Sequence, residues 1–532
     1  MTRYETTKTG LLALLFAALL TVAASALAAD HQGGELRIGF TGTLGLDDFD
    51  PSVTTARNAR IWYSNIYDPL IWQLEPGNFQ PGLAVAWEHD DDLTFFRLTL
   101  REGVELHDGT PFNADLLVHA VERILDPETD SQKRDTVRDA VRFEAVEDFV
   151  FEIEFSAPQP RFMDRLSEYD LSPNSPSAIE ALGPDYTINP VSTGPYMVEG
   201  WRDERTFVMV RNESWVKPDW MGEEFGQFLD RVIVNFIPER ETAAVALERG
   251  EVDMVFDPPN FQMSTYVQRD DFATHIIGVG GVPMSLHLNT TRWPTNDLYL
   301  RRAIQHVINQ EELAQLLFFG VLPPGQGVLS HQDWAFLEGY AERYPYDPEL
   351  AHEIMAEGGW ERDPETGIYH KDGEPATARM VVVDRPWLEI VQQSLQDLGI
   401  DLVLEVMGFD ARSERHQANE YEINEIGVSG EDPDRPMRTV FHSHHANNNP
   451  MFNRSRIANP ELDELIERGA AAGDFETRLA LYHEAQRIIW DEAVFVPLHE
   501  DVYLWAHTTR LSEPVFSNWQ MPLFATMYWH AD

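Results

Sequence analysis

The sequence of 532 residues contains no cysteine, and it has almost no lysine. The first absence excludes disulfides, which a chain of this length does not need because it can bury a large apolar core. Beyond Lys8, the lysines are Lys133, Lys217 and Lys371. After the apolar run that ends at Val22, no stretch approaches the ~20 apolar residues that span a bilayer. The sequence therefore predicts a large protein without disulfide bonds and, beyond Val22, without membrane-spanning helices.

Positively charged residues are few: the sequence has 40 Lys and Arg but 89 Asp and Glu, which gives a net charge of -49. This excess argues against nucleic acid or an anionic membrane as a partner. With arginine in place of lysine, it predicts a halophilic acidic surface. In about molar salt the Debye length shrinks to roughly 3 Å, and repulsion between like charges falls. The alternative is an ordinary acidic soluble protein, since 43% hydrophobic residues are typical of a packed globular chain.

The N-terminal residues have the order of a secretory signal. Basic residues precede the apolar run Leu11–Val22, and small residues with an A-x-A pattern follow at Ala26–Ala28. We predict a signal peptide over residues 1–29 that is removed on export. Because no cysteine is present for lipid attachment, the mature chain is expected free in the periplasm and not lipid-anchored.

Helix and strand patterns alternate along the rest of the chain, which indicates an α/β protein. The stretch "NADLLVHAVERILDP" predicts a helix that Asn113 caps. Its apolar stripe consists of Leu116, Leu117, Ala120, Val121 and Ile124. A later helix, "PWLEIVQQSLQDL", is predicted to end at Gly399. The glycine-rich stretch "GVGGVP", Gly278–Pro283, is predicted to be a linker.

A series of motifs follows the order found in one known family. These are "IYDPLI", "PGLAVAWE", "LREGVELHDGTPFNADLLVHAVERIL", "STGPYMVEGW", "ALERGEVDMVF", "LNTTRWPTNDLYLRRAIQHVINQEEL", "LQDLGIDL" and "NPELDELIERG". Together they resemble the family 5 extracellular solute-binding proteins of peptide-type ABC transporters, the dipeptide- and oligopeptide-binding proteins. The likeness covers nearly the whole mature chain.

The resemblance implies an α/β fold with two lobes that close on a ligand. This is the type II periplasmic-binding-protein fold of the large cluster, in which an extra subdomain is inserted into lobe one. The expected boundaries are 30–75 for the first segment of lobe one, 76–189 for the inserted subdomain, 190–281 for the second segment of lobe one, 282–498 for lobe two and 499–532 for the C-terminal segment of lobe one.

The resemblance also implies a receptor, with no catalytic residues and no cofactor. It would capture a short peptide between the lobes and deliver it to the permease and ATPase subunits of an ABC importer. A monomer is expected, with no nucleic acid and no membrane insertion. An oligosaccharide, an opine or a metal chelate are alternative ligands of the same fold. An exported hydrolase is the alternative of a different class, although no G-x-S-x-G is present.

Candidate ligand contacts come from two segments. In peptide-binding relatives, this segment has Gly-Trp, then two further residues, and then an acid that binds the α-ammonium of the ligand. The stretch "GVSGEDPD" places Glu431 at that acid's position and Asp432 beside it, while Val428 replaces the tryptophan. The segment "VVVDRPW" resembles the one in which an arginine before proline binds the ligand's carboxylate. It assigns this role to Arg385, with Trp387 as a neighbouring aromatic contact.

His442, His444 and His445 have the side chains of metal ligands, but their surroundings do not predict a metal site. The sequence has no H-E-x-x-H and no second His or Cys pair at ligand spacing. The following "HANNNP" is typical of an exposed polar loop. We therefore expect these histidines to lie in a surface loop that binds no metal.

Overall fold

The computed structural model describes residues 33–41, 49–53, 59–75, 77–430, 432–447, 452–517 and 519–531. The predicted signal peptide and Glu431 lie outside these residues. The chain divides into two compact units. Unit one contains the described residues of Met1–Pro259, Tyr266–Thr274 and Trp505–Asp532, and unit two contains those of Asn260–Thr265 and His275–Leu504. Within the described ranges, no helix combines the length and apolar content needed to cross a membrane.

The strands of the described residues are short. In chain order they are β1 (Glu35–Phe40), β2 (Ile71–Glu75), β3 (Asn78–Pro81), β4 (Ala84–His89), β5 (Phe95–Leu100), β6 (Ala140–Glu147), β7 (Val150–Phe155), β8 (Tyr196–Asp203), β9 (Thr206–Arg211), β10 (Arg231–Phe236), β11 (Met254–Phe256), β12 (Phe272–Gly278), β13 (Gly281–Leu288), β14 (Glu361–Arg362), β15 (Tyr369–Lys371), β16 (Glu374–Pro375), β17 (Thr377–Val382), β18 (Asp401–Val406), β19 (Ile423–Ser429), β20 (Phe495–His499), β21 (Val502–Thr508), β22 (Val515–Phe516) and β23 (Pro522–Leu523).

Helices alternate with these strands. They are α1 (Arg60–Ile66), α2 (Ala114–Leu125), α3 (Phe162–Leu166), α4 (Pro176–Leu182), α5 (Arg240–Glu248), α6 (Asn260–Tyr266), α7 (Leu298–Ile304), α8 (Gln310–Phe318), α9 (Tyr340–Arg343), α10 (Pro348–Glu357), α11 (Leu388–Leu398), α12 (Phe409–Gln417), α13 (Asp434–Phe441), α14 (Ser443–Asn447), α15 (Pro460–Ala471) and α16 (Phe475–Glu492).

Unit one contains a mixed sheet with the strand order β12-β21-β11-β1-β10-β9-β8. At its centre β1 runs parallel to β10 and β11, and its apolar residues Leu36, Ile38 and Phe40 are buried. A separate antiparallel sheet, β4-β5-β7-β6, packs with α2 around its own apolar core. The side chain of Asn113 accepts a hydrogen bond from the Leu116 N–H at 3.3 Å, and the predicted stripe of α2 is buried. The sequence prediction of this capped helix is confirmed.

Unit two contains a five-stranded sheet with the order β18-β17-β19-β13-β20. Successive side chains of a strand point to opposite faces, and along β20 Val496 and Phe495 belong to different apolar clusters. Helices α7, α8, α10 and α11 contribute to the first cluster, and α13, α15 and α16 to the second. Both faces of the sheet are therefore covered. A polar side chain buried on a central strand, such as Glu425 of β19, is an exception that requires partners.

The stretch Gly278–Pro283 joins a strand of the seven-stranded sheet to a strand of the five-stranded sheet. β12 ends at Gly278 and β13 begins at Gly281, so two residues separate the strands. Gly281 has φ of +106°, and a Cβ there would lie 2.3 Å from the carbonyl oxygen of Val428. Glycine is required at position 281 because β13 and β19 approach closely at this point. The boundaries expected for the lobes and the inserted subdomain stay predictions.

Candidate ligand-binding site

The carboxyl end of β19 positions the acidic segment that the sequence singled out. β19 ends at Ser429, the N–H of Gly430 donates to the carbonyl of Gly280 at 3.0 Å, and α13 begins at Asp434. The strand ladder thus fixes the point from which this segment starts. Glu431 lies outside the described residues, and its contact with a ligand stays a prediction.

Asp432 is buried and already bound to protein groups. One carboxylate oxygen accepts from Nη2 of Arg478 at 2.6 Å, and the other accepts from the N–H of Asp434 at 3.0 Å. The guanidinium of Arg478 lies 5.0 Å from the ring centroid of Trp334. Burial lowers the pKa of Arg478, but the charge of Asp432 and contacts with Tyr482 outweigh it, so the pKa is raised. Asp432 therefore anchors α16 to the start of α13.

Sequence reasoning missed a second carboxyl in this region, that of Asp333. Its Oδ1 accepts from the N–H of Ala335 at 3.0 Å, whereas its Oδ2 is buried and has no hydrogen-bond partner among the described residues. Burial raises the pKa of Asp333 to about 7, and the charge of Asp432 contributes in the same direction. The segment "SHQDW" carries no pattern that distinguishes this acid from the other acids of the chain.

The raised pKa of Asp333 predicts a pH-dependent stability. A carboxyl whose folded pKa is above its unfolded value of ~3.9 stabilises the fold at low pH, and this contribution is lost as pH rises through about 7. Asp333→Asn mimics the protonated group. The unfolding free energy of the variant minus that of wild type should therefore rise by roughly 2–3 kcal/mol when the pH is raised from 5 to 8. Denaturant unfolding at both pH values measures this gain, and an equal difference at both would contradict it.

Arg385 lies in the loop between β17 and α11 and shares an acidic partner with Arg412 of α12. Nη2 of Arg385 is 3.4 Å from Oε1 of Glu425, and Nη1 of Arg412 is 2.5 Å from the same oxygen. Burial raises the pKa of Glu425 against the opposing effect of the two arginines. The Nε–H groups of Arg385 and Arg412 are buried and have no hydrogen-bond partner in the described part of the chain.

Trp387 is the N-cap residue of α11, and it is 1% exposed within the apolar cluster that covers one face of the sheet. This burial favours a structural role, in which the indole holds the Arg385 loop against the core. A direct contact between Trp387 and a ligand stays a prediction.

The structure agrees only in part with the exposed loop that the sequence predicts for the three histidines, since His444 is exposed but His442 is not. His442 is buried, and its Nε2 lies 3.2 Å from Oε1 of Glu467. His444 and His445 belong to the short helix α14, and their rings are 5.3 Å apart. The prediction failed for His442 because α13 carries its apolar face into the core, which draws this residue inward with it.

Comparison with known proteins identifies the family of this chain. Residues 78–449 match the family described as bacterial extracellular solute-binding proteins, family 5 Middle. The chain belongs to this family. Family 5 proteins are solute-binding receptors that deliver ligands to ABC permease and ATPase components, and they are not enzymes.

Individual relatives and structures agree with this assignment. The chain is 25% identical over 527 residues to the glutathione-binding protein GsiB of Escherichia coli K12, which covers 97% of this chain and 96% of GsiB. NikA from Brucella suis, solved with Fe(III)-EDTA, has a TM-score of 0.80 at 21% identity and covers 93% of this chain and 100% of NikA. DppA from Helicobacter pylori, solved with the peptide STSA, has a TM-score of 0.71 at 22% identity, covering 95% and 99%. The predicted type II family 5 fold is confirmed.

Proposed function

We propose that this family 5 receptor is exported to the periplasm and captures a short peptide, which it delivers to an inner-membrane permease. The GsiB relative is named for glutathione, a tripeptide, and the DppA structure contains the peptide STSA. These names support a peptide as the ligand class. The alternatives in the same fold are an oligosaccharide, an opine or a metal chelate.

The observation that carries the proposal is the state of Arg385. Its side chain is 36% exposed, and its ion pair with Glu425 is long at 3.4 Å. A guanidinium has five N–H donors in a planar fork that suits a carboxylate. Arg385 therefore has donors to spare, at the position where the resemblance expects an arginine that binds the ligand's carboxylate.

Glu431 is the proposed partner for the ammonium group of the peptide. An ammonium that loses water on binding needs a carboxylate in its place, because a buried unpaired charge is strongly unfavourable. Asp432 is the alternative acid, but its bond to Arg478 favours a structural role. Trp387 would support the Arg385 loop, and Val428 in place of tryptophan would shape a cleft that differs from that of other peptide receptors.

Calorimetry with a panel of dipeptides to pentapeptides and glutathione tests the proposal, alongside native mass spectrometry of protein purified without added ligand. We expect a co-purified species with a peptide mass and micromolar or tighter binding of at least one peptide. A bound sugar or opine, with no peptide binding, would refute the peptide class. Ligand recovered with its mass unchanged after incubation excludes a hydrolase, whereas cleavage products would show one.

A further inference from the structure

Unit two contains a cluster of arginines for which the described residues provide little negative charge. Arg385, Arg412 and Arg454 belong to it, and Glu425 is the acid that two of them share. The exposed fraction falls from 36% for the Arg385 side chain to 9% for that of Arg412, and residue Arg454 is 4% exposed. The cluster thus extends from the surface into the unit.

Arg454 is the most unusual member of this arginine cluster. Its Nε and Nη1 are buried without a hydrogen-bond partner, and it forms no ion pair with an acid of the described ranges. Burial lowers its pKa to about 9, and the positive charges of Arg412 and Arg456 act in the same direction. Arg456 adds a further positive charge beside Arg454, and its own guanidinium donates to the carbonyls of His416 and Ala446.

Other arginines of unit two are paired with acids, in contrast to Arg454. Arg379 on β17 donates to both carboxylate oxygens of Glu422 at 3.0 Å. In a chain with 89 acids, a buried arginine that has no acidic partner among the described residues is not explained by a shortage of carboxylates. All three arginines also have buried N–H donors without a hydrogen-bond partner among the described residues. A buried donor of this kind destabilises the fold unless a bound ligand supplies an acceptor.

We propose that the ligand carries two anionic groups, one bound by Arg385 and the other seated between Arg412 and Arg454. Among the described residues, these three guanidinium groups have the single carboxylate of Glu425 as their acidic partner, so two carboxylates of a ligand would find unpaired donors here. This inference rests on the proposed function for the peptide class, and it narrows that class. The ligand is then a short acidic peptide whose terminal carboxylate binds Arg385 and whose side-chain carboxylate reaches the deeper arginines.

Two tripeptides that differ in one carboxylate test the proposal, Ala-Ala-Glu and Ala-Ala-Gln. We expect wild type to bind Ala-Ala-Glu at least tenfold more tightly in calorimetry. Arg454→Met should reduce this ratio to about one while Ala-Ala-Gln binds as before, and Arg454→Lys should retain part of the preference. The unliganded Arg454→Met protein should melt at or above the wild-type temperature, because a buried unpaired cation is removed.

Arg379→Met is the matched control. It removes an arginine of the same unit that is paired with a carboxylate, so it should lower the melting temperature and leave the ratio between the two peptides unchanged. A ratio near one in wild type, or a ratio that survives in both Arg454 variants, would overturn the inference while leaving peptide binding in place.

The proposed function can fail separately. If neither tripeptide binds, millimolar citrate is the probe, and the melting temperature is the measurement. A rise in wild type that is absent in Arg454→Met would support the anion site and refute the peptide. No difference between the two proteins in citrate would overturn the anion site as well.

Discussion

Replacing Glu431 by glutamine is expected to weaken the binding of a short peptide at least tenfold and to leave the fold intact. The ammonium of the peptide loses its water when the ligand is enclosed, and an uncharged amide replaces that water poorly. Removing one partner of a desolvated charge pair typically weakens binding by ~2–5 kcal/mol, or roughly 30-fold to several-thousand-fold. Calorimetry on wild type and variant measures the loss, and circular dichroism checks the fold.

Asp432→Asn is the matched control for this experiment. It removes the charge that neutralises Arg478, so the variant should unfold at a lower temperature. Its peptide affinity should change less than that of Glu431→Gln, because the Asp432 carboxylate is already bound to protein groups. If both variants bind peptide as wild type does, the ammonium site lies elsewhere. If Asp432→Asn shows the larger loss, the two acids exchange roles.

The melting temperature is expected to rise by about 5–8 °C between low salt and molar NaCl. The net charge of -49 destabilises the compact state through repulsion between like charges, and salt screens that repulsion. Tens of exposed like-charge pairs, each worth a few tenths of a kcal/mol, sum to roughly 6–9 kcal/mol. A chain of this length loses about 1 kcal/mol of stability per degree near its midpoint, which converts the sum to the stated shift.

Sucrose at equal osmolality is the control, since it stabilises through exclusion from the surface and screens no charge. The steepest rise should come below about 0.2 M salt if repulsion between exposed carboxylates is the cause, because the Debye length falls fastest there. A flat profile in NaCl would show that the acidity is incidental to stability. An equal rise in sucrose would assign the effect to exclusion.

Local sequence patterns predicted the helices where cap and stripe agree. In α2, Asn113 caps the helix and the apolar positions recur on one face, so local preference and burial point the same way. Gly399 ends α11 with φ of +103°, as its place after the apolar stripe predicts. At Gly281 the sequence does not show why glycine is needed, because glycine marks both a flexible joint and a close approach of two strands. Only the partner strand distinguishes the two cases.

The sequence by itself determined the family, the α/β class and the large negative net charge. Each of these depends on composition or on motifs in order along the chain. It also nominated Arg385 and Glu431 as ligand contacts, because a motif assigns a role to a position, and these two roles stay predictions. These features can be predicted without a structure because they depend on composition and on residues that are neighbours in sequence.

The tertiary structure alone decided which charges are paired. Asp432 and Arg478 are 46 positions apart in sequence, and Arg385 and Glu425 are 40 apart, so no local pattern relates them. Asp333 and Arg454 resemble ordinary surface residues until the fold buries them. The free energy of a charge depends on its distance from water and from opposite charges, which folding sets through contacts between remote segments.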